Sequence, residues 1–350
     1  MSIFFIKTKS HDPWHNLALE EYLSGLIGPG DVMLYLWRND RTVVIGRNQN
    51  ALRECRCALL EAEGGRLSRR KTGGGAVYQD LGNLCFTFLA SPEVYDQTKQ
   101  FSVIALACRL LGIETILSGR NDILTADGLK FSGNAFSHTA ACSIHHGTLM
   151  VDVDTERMKR YLTPSEDKLK AKGIRSVQSR VVNLRALKPE LTMAELEETL
   201  QEAFRRIYRC GSEDTGPPPV SSVILSEDDL DQARIRELSE QYASWEWRYG
   251  KSPDCEETWR TRFDWGGVEV WFSLHKLRIE RIRIYSDALD PKLPGRLEKL
   301  LTGRKADPAI PAEKQARDLM GTPEMRGLTP QQQSQHEDVI RALLEEIGGA

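Results

Sequence analysis

Short apolar runs of strand length, each closed by polar turn residues, alternate along this chain with segments of helical periodicity. Ile3–Ile6 reads as a strand. Asp12 then predicts a helix cap with Pro13 at the first helical position, and Gly25 or Gly28 can end that helix. Trp14, Leu17, Ala18 and Tyr22 fall on one helical face. Val32–Trp37 and Thr42–Ile45 flank Arg38-Asn39-Asp40 as a hairpin would, and Ala76–Tyr78 and Leu84–Leu89 flank residues 79–83 in the same way. A helix is expected over Phe101–Leu111 before Gly112, and strands over 113–151. Thr192 and Glu195 form a capping box ahead of Leu196, Leu200, Phe204 and Ile207. Strands separated by helices, with hairpins among them, predict an α+β fold with mixed sheets rather than a parallel βαβ array.

A chain of 350 residues favours two domains. The boundary is expected at Tyr249-Gly250-Lys251-Ser252-Pro253, in preference to the Pro217-Pro218-Pro219 run. This gives a first domain of residues 1–248, a linker over 249–255 and a small α+β domain over 256–350. In the small domain, Val268, Val270, Phe272 and Leu274 alternate with polar neighbours as in a half-buried strand, Ile279, Ile282 and Ile284 supply a second, and the tail reads as helix from Gln331 to Glu346. Seven scattered cysteines without a CxxC pair fit reduced thiols rather than a disulfide or zinc framework. A formal charge of −3 excludes a globally basic nucleic-acid binder, and no apolar window is long enough to span a membrane. A cytoplasmic protein with neither nucleic-acid nor membrane partners is expected.

Four segments carry candidate chemistry. Arg69-Arg70-Lys71-Thr72-Gly73-Gly74-Gly75-Ala76-Val77-Tyr78 joins two guanidinium forks to three glycines whose amides can face an anion. It matches neither the Walker A nor the dinucleotide pattern. Gly119-Arg120-Asn121-Asp122 precedes Lys130-Phe131-Ser132-Gly133-Asn134-Ala135, where a lysine among small residues can reach a phosphate or carboxylate. Asp122 could hold a divalent cation, although by itself it fits a turn residue or a lysine's partner better. His145 and His146, in a strand, point to opposite faces, so one core histidine and one functional or structural histidine are expected, with Thr148 as a plausible donor to an oxygen. Trp37 ends its strand as a core residue or as the wall of an apolar ligand.

In combination these segments resemble the lipoate–protein ligase A family in its two-domain bacterial form. The resemblance is carried by the Arg-Arg-x-Thr-Gly-Gly-Gly-Ala-Val-Tyr run at 69–78, Gly82-Asn83, Lys130-x-Ser-Gly-x-Ala and His-His-Gly-Thr at 145–148. It continues through Ala171–Val181, Ser244-Trp245-Glu246-Trp247 and Phe263-x-Trp265-Gly266-Gly267-Val268-Glu269. Gln79 stands where many relatives carry histidine, and Lys71 replaces a common serine.

The resemblance implies a biotin/lipoate ligase-like catalytic domain and a two-step reaction. Lipoate and Mg·ATP give lipoyl-AMP. The lipoyl group then passes to a lysine of apo lipoyl domains, those of the E2 subunits of 2-oxoacid dehydrogenase complexes and of glycine cleavage H protein. It assigns Lys130 as catalytic. Arg70, Gly75, Ala76, Val77, Tyr78, Asn83, Arg120, Asp122, Lys130 and Thr148 would hold ATP and the adenylate. Trp37, Arg70, Gly73, Gly74, Lys130 and His146 would hold lipoate, with Asp122 the candidate magnesium ligand. A loop over Ser176–Val181 would close on the adenylate. Rival readings are a lipoyltransferase that needs preformed lipoyl-AMP, and an octanoyltransferase of the same fold that needs a nucleophilic cysteine, for which Cys142 is poorly placed.

Overall fold

In the computed structural model, residues 2–118, 121–163, 181–209, 221–250, 257–275, 277–306 and 310–349 are described. Arg120, most of the Ala171–Val181 stretch, Pro217–Pro219 and Lys251–Pro253 lie outside them. The chain divides into two compact units. The first comprises Met1–Ile45, Leu52–Arg70 and Ala76–Arg248; the second comprises Gly46–Ala51, Lys71–Gly75 and Tyr249–Ala350.

The first unit is built on a mixed eight-stranded sheet. Its strands are β1 (Ser2–Lys7), β2 (Asp31–Trp37), β6 (Asn83–Ala90), β7 (Thr115–Ser118), β8 (Asp122–Thr125), β9 (Lys130–His138), β10 (Ser143–Met150) and β11 (Ser221–Ile224), in the order β11-β1-β2-β6-β10-β9-β8-β7. Strands β3 (Thr42–Ile45), β4 (Arg66–Arg69) and β5 (Val77–Gln79) form a separate small sheet ordered β4-β3-β5.

Helix α1 (Pro13–Ser24) starts where expected, because the Asp12 carboxylate accepts from the amides of Trp14 and His15. Two short helices follow, α2 (Ala51–Glu54) and α3 (Cys57–Ala62). Helix α4 (Gln97–Leu110) begins four residues earlier than the apolar pattern suggests, since Asp96 caps it through Lys99 N. Helix α5 spans Thr155–Tyr161 and helix α6 Met193–Arg209. Only half of the α6 capping box forms: Thr192 Oγ1 accepts from Glu195 N, while the Glu195 carboxylate turns to Lys188 Nζ at 2.7 Å. Helices α7 (Gln232–Ala243) and α8 (Trp245–Tyr249) complete the unit's described helices.

Both expected hairpins are absent. β2 joins the large sheet, pairing with β1 and β6, whereas β3 pairs with β4 and β5. Likewise β5 and β6 belong to different sheets. The turn after β2 is held elsewhere: Asn16 on α1 donates to Arg38 O and Asn39 Oδ1, and Asn39 donates to Gln79 Oε1 at 2.7 Å. Gln79 is therefore a buried structural acceptor.

Each face of the large sheet is covered by helices. Val32, Leu34, Leu36, Leu84, Phe86 and Phe88 share one core with residues of α4 and α6. Met33, Tyr35, Trp37, Cys85 and Leu89 share the other with Leu17 of α1 and Leu238 of α7. The period-2 alternation of strands sorts these sets, so β2 and β6 are buried almost throughout.

In the second unit, β12 (Glu257–Phe263), β13 (Gly266–His275) and β14 (Arg278–Ser286) form an antiparallel sheet. As the alternation predicts, Val268, Val270 and Phe272 face a core with α9 (Leu293–Leu301), α10 (Ala312–Met320) and α11 (Pro330–Gly349). Two short segments read from sequence as catalytic-domain residues pack within this unit. Ser286 N donates to Asn48 O at 2.8 Å, Asn48 Nδ2 donates to Pro291 O at 2.7 Å, and Gly74 N donates to Ala288 O at 3.0 Å. A Cβ on Gly73 would collide with Ala288 O and come within 2.6 Å of Leu289 O, so glycine is required by close backbone approach.

Gly147, in the middle of β10, faces an equally full space. A Cβ there would lie 2.5 Å from Phe86 Cζ and closer still to Asn134 Oδ1. Gly147→Ala is expected to cost about 1–3 kcal/mol through overpacking, measured as a fall in the urea midpoint at unchanged m-value.

Candidate active site

The sheet register brings Trp37, Thr148 and Asp122, with His146 in the next row, onto one face of the large sheet. Trp37 on β2 pairs with Cys85 on β6, which pairs with Thr148 on β10. Thr148 Oγ1 accepts from Gly133 N on β9 at 3.4 Å, and Gly133 pairs with Asp122 on β8. One row of positions thus crosses five strands. The neighbouring row carries Tyr35, Thr87, His146 and Ala135.

Lys130 joins this face through a bulge. Strict alternation would put Lys130 with Ser132 and Asn134 on the opposite face from Gly133. Instead the register slips: Ile123 pairs with Ser132 but Leu124 pairs with Lys130, leaving Phe131 as the extra residue. Phe131 turns into the α4–α6 core. The Lys130 side chain swings over Gly133, with Nζ 3.1 Å from where a Cβ would be, and pairs with Asp122 Oδ1 at 2.7 Å. β-Bulges commonly re-aim a side chain in this way. Both partners of the pair are about one-third exposed, so the ammonium is open to an incoming anion.

A polar network under helix α1 borders the row. Trp37 Nε1 donates to Thr87 Oγ1 at 3.1 Å, and Thr87 donates to Glu20 Oε2 at 2.6 Å. The same carboxylate oxygen is 2.9 Å from His146 Nδ1. Arg70 is also buried. Its Nη1 donates to Val44 O, and desolvation pushes its guanidinium down to about 10 against the opposing pull of Glu20. Arg70 therefore stays cationic at neutral pH. Burial, followed by the charge of Glu20, pushes the Cys85 thiol well up, leaving it neutral and unreactive.

Glu20 and Thr87 were not singled out from sequence. A signal was present: Asn16 and Glu20 are polar residues four apart within the buried stripe of α1, beside Leu17 and Leu23. A carboxylate at such a position must have partners.

His145 is the core histidine. It packs against Phe86, Phe88, Phe101 and Phe136 and has no access to solvent. Burial holds its pKa well below the usual histidine value, so the ring is neutral and carries one N–H. Asn134 donates through Nδ2 to Asn121 O and Ser132 Oγ, which fixes its Oδ1 as acceptor for His145 Nε2–H. His145 Nδ1 must then accept. The Gln100 amide is thus oriented with its nitrogen toward the ring, which also gives a partner to a buried Gln100 Nε2 otherwise lacking one.

Other predicted residues are placed as follows. Asn83 is buried at the start of β6, with Nδ2 3.3 Å from Cys85 Sγ. Ala76 precedes β5, and Val77 and Tyr78 lie on it. Tyr78 packs against Tyr161, and burial raises its phenol. Gly73, Gly74 and Gly75 belong to the second unit's grouping. Arg69 departs from its expected role as an anion-binding fork: its guanidinium donates to main-chain carbonyls, Nε to Trp247 O and Arg248 O and Nη2 to Arg248 O. Among the described residues, no group of three or more His, Cys, Asp or Glu is arranged to hold a metal.

Residues 12–205, more than half of the chain, match the lipoyl protein ligase A/B catalytic domain, and residues 252–310 match the bacterial lipoate protein ligase C-terminus. Lipoate-protein ligase A of Psychrobacter cryohalolentis is 40% identical over 309 residues, covering 88% of this chain and 90% of that protein. The chain belongs to the lipoate–protein ligase A family. Its counterpart in Blochmanniella pennsylvanica is also 40% identical, over 86% of this chain and 88% of that protein. The crystal structure of P. falciparum LipL1 in complex with lipoate aligns at a TM-score of 0.79 and 25% identity, over 98% of this chain and all of that one. The bipartite lipoate protein ligase of Thermoplasma acidophilum, with 24% identity over 72% of this chain and 98% of its own, shares the fold at a TM-score of 0.60.

Family membership removes the octanoyltransferase rival, and the chemistry of Cys142 agrees. That side chain is buried, and desolvation pushes its thiol up to about 11, the reverse of what a nucleophile needs.

The neutral state of His145 has a consequence for stability. Its folded pKa lies below the unfolded value near ~6.5, so below that pH the unfolded chain binds the extra proton. This contribution to stability is therefore lost as the pH falls below about 6.5, with a slope approaching 1.4 kcal/mol per pH unit. His145→Gln, which can keep both amide contacts, is expected to flatten that dependence when urea midpoints are compared between about pH 7 and pH 5.

Proposed function

We propose that this lipoate–protein ligase activates free lipoate with ATP and then transfers the lipoyl group to a protein lysine, using a catalytic domain of residues 1–248, a linker over 249–255 and an accessory domain over 256–350. In the first step a lipoate carboxylate oxygen attacks the α-phosphorus. The new P–O bond forms as the bond to pyrophosphate breaks. Two anions must meet, so fixed cations aimed at the reacting oxygens lower the barrier most. In the second step the acceptor's neutral ε-amine attacks the acyl carbonyl, AMP leaves, and the nitrogen loses a proton. No enzyme nucleophile is needed, because the adenylate is already the activated acyl donor.

The observation that carries this reading is the bulge-directed Lys130, exposed at the end of a row that begins at Trp37. Lys130 contacts the acyl carbonyl and the α-phosphate in both steps. Thr148 lies next along the row and donates to the adenylate. Arg70, buried yet charged, orients the lipoate carboxylate. Trp37 and His146 line the apolar chain, and the backbone from Ala76 to Tyr78 frames the nucleotide. Magnesium, arriving with the nucleotide, supplies neutralisation of the phosphates; Asp122 is the row's carboxylate able to hold it, and one carboxylate plus phosphate oxygens is an ordinary magnesium donor set. The acceptors are apo lipoyl domains of E2 subunits and glycine cleavage H protein.

Lys130→Met keeps the length of the side chain and removes its charge. Lipoate-dependent pyrophosphate release without an acceptor is expected to fall about 10²–10³-fold, with circular dichroism unchanged. Unaltered release would reject Lys130 as the adenylating cation. Were the unmodified chain to transfer from supplied lipoyl-AMP yet release no pyrophosphate, it would be a lipoyltransferase instead.

A further inference from the structure

Among the described residues, strand β4 is an edge strand, paired with β3 and with no other strand. Its outward carbonyls must then be covered or solvated. Two tryptophans cover it. Trp14 Nε1 donates to Leu67 O at 3.0 Å, and Trp247 Nε1 donates to Arg69 O at 2.8 Å. Leu67 and Arg69 are two residues apart, so their carbonyls point the same way.

The second contact is reciprocal. Arg69 sends Nε to Trp247 O at 2.9 Å and to Arg248 O at 3.1 Å, and Nη2 to Arg248 O at 2.7 Å. These are carbonyls of helix α8, whose residues end at Tyr249. A planar guanidinium fork can span two such neighbouring carbonyls. Trp247 is itself held: its amide donates to Ser244 Oγ and its ring packs edge-on against Tyr242. Arg248 stacks over Trp14 and pairs with Glu61 on α3 at 3.1 Å. On its other side the backbone is fixed by Arg70 N donating to Ile45 O at 3.0 Å.

We infer that Arg69 is a positioning residue, clamped with Trp247 so that the main chain bearing Arg70 is fixed to helix α8, the last segment of the catalytic unit. The guanidinium holds the carbonyls of residues 247 and 248, and the indole of residue 247 holds the carbonyl of residue 69. Arg70 begins where that carbonyl ends, so its guanidinium inherits the rigidity of the clamp. The inference rests on the ligase reading, in which Arg70 orients the lipoate carboxylate.

Trp247→Phe keeps an aromatic ring and removes the N–H. Arg69→Lys keeps the charge but loses the planar fork that places two nitrogens against the two carbonyls. In the full chain, lipoate KM for pyrophosphate release is expected to rise about fivefold in either variant, the effect of one lost hydrogen bond. kcat should stay within about twofold, because the ground-state orientation of the carboxylate is what loosens. Amide exchange of the peptide over residues 66–75 should quicken in both. The double variant should be no worse than the poorer single one, since the two side chains form one device.

Folded variants with unchanged KM and exchange would overturn the clamp, as would effects that multiply in the double variant. A rise in KM for Arg69→Lys with Trp247→Phe silent would make Arg69 a ligand contact instead. If the unaltered protein releases no lipoate-dependent pyrophosphate, the ligase reading falls, and the exchange measurement alone decides the clamp.

Discussion

Strands β2 and β6 are buried on both faces almost throughout, as is β10 over His145–Gly147, and this constraint governs the rest of the catalytic unit. A polar side chain on such a strand cannot turn to water, so each must find a fixed partner. On one face Thr87 and His146 meet the Glu20 carboxylate, and Trp37 donates to Thr87, with the Arg70 cation buried nearby. On the other, Gln100, His145 and Asn134 complete one another. Trp37, His146 and Arg70, which meet lipoate in the proposed reaction, are thus among the residues that satisfy the core. Their rotamers are set before any ligand arrives, which is the preorganisation that differential binding requires.

Local signals were legible where one residue acts on its near neighbours. The Asp12 cap, the Thr192 cap and the alternation of Val268, Val270 and Phe272 all depend on contacts within a few residues or on a single exposed face. The hairpins failed for the opposite reason. β2, β3 and β6 are apolar on both faces, so no alternation specifies their register, and a polar turn does not say which sheet comes next. Asn39 leads the chain out of the large sheet because Asn16 and Gln79, both distant in sequence, capture its amide. The packing of the Lys71–Gly75 segment with Ser286–Leu289 backbone is equally non-local. For the site, Arg70, Lys130 and His146 stand within the motifs and Trp37 at a strand end, whereas the partners of Glu20 emerge only when helix α1 is laid across the sheet.

Neighbouring pairs divide the work between fold and chemistry. His145 fills a ring of four phenylalanines while His146, one residue on, meets Glu20. Phe131 enters the α4–α6 core while Lys130 stands over Gly133 and Asp122. Arg69 grips helix α8 while Arg70 lies buried within reach of the field of Glu20. In the first pair the alternation of a regular strand does the sorting. In the second it would have failed, since Lys130 shares its parity with Ser132 and Asn134, and the bulge supplies the missing half-turn. A strand can anchor and present in adjacent positions only if its register is immovable. The double burial of the central strands enforces that, because a one-residue slip would drive His146 into the aromatic core and expose His145 to the polar face.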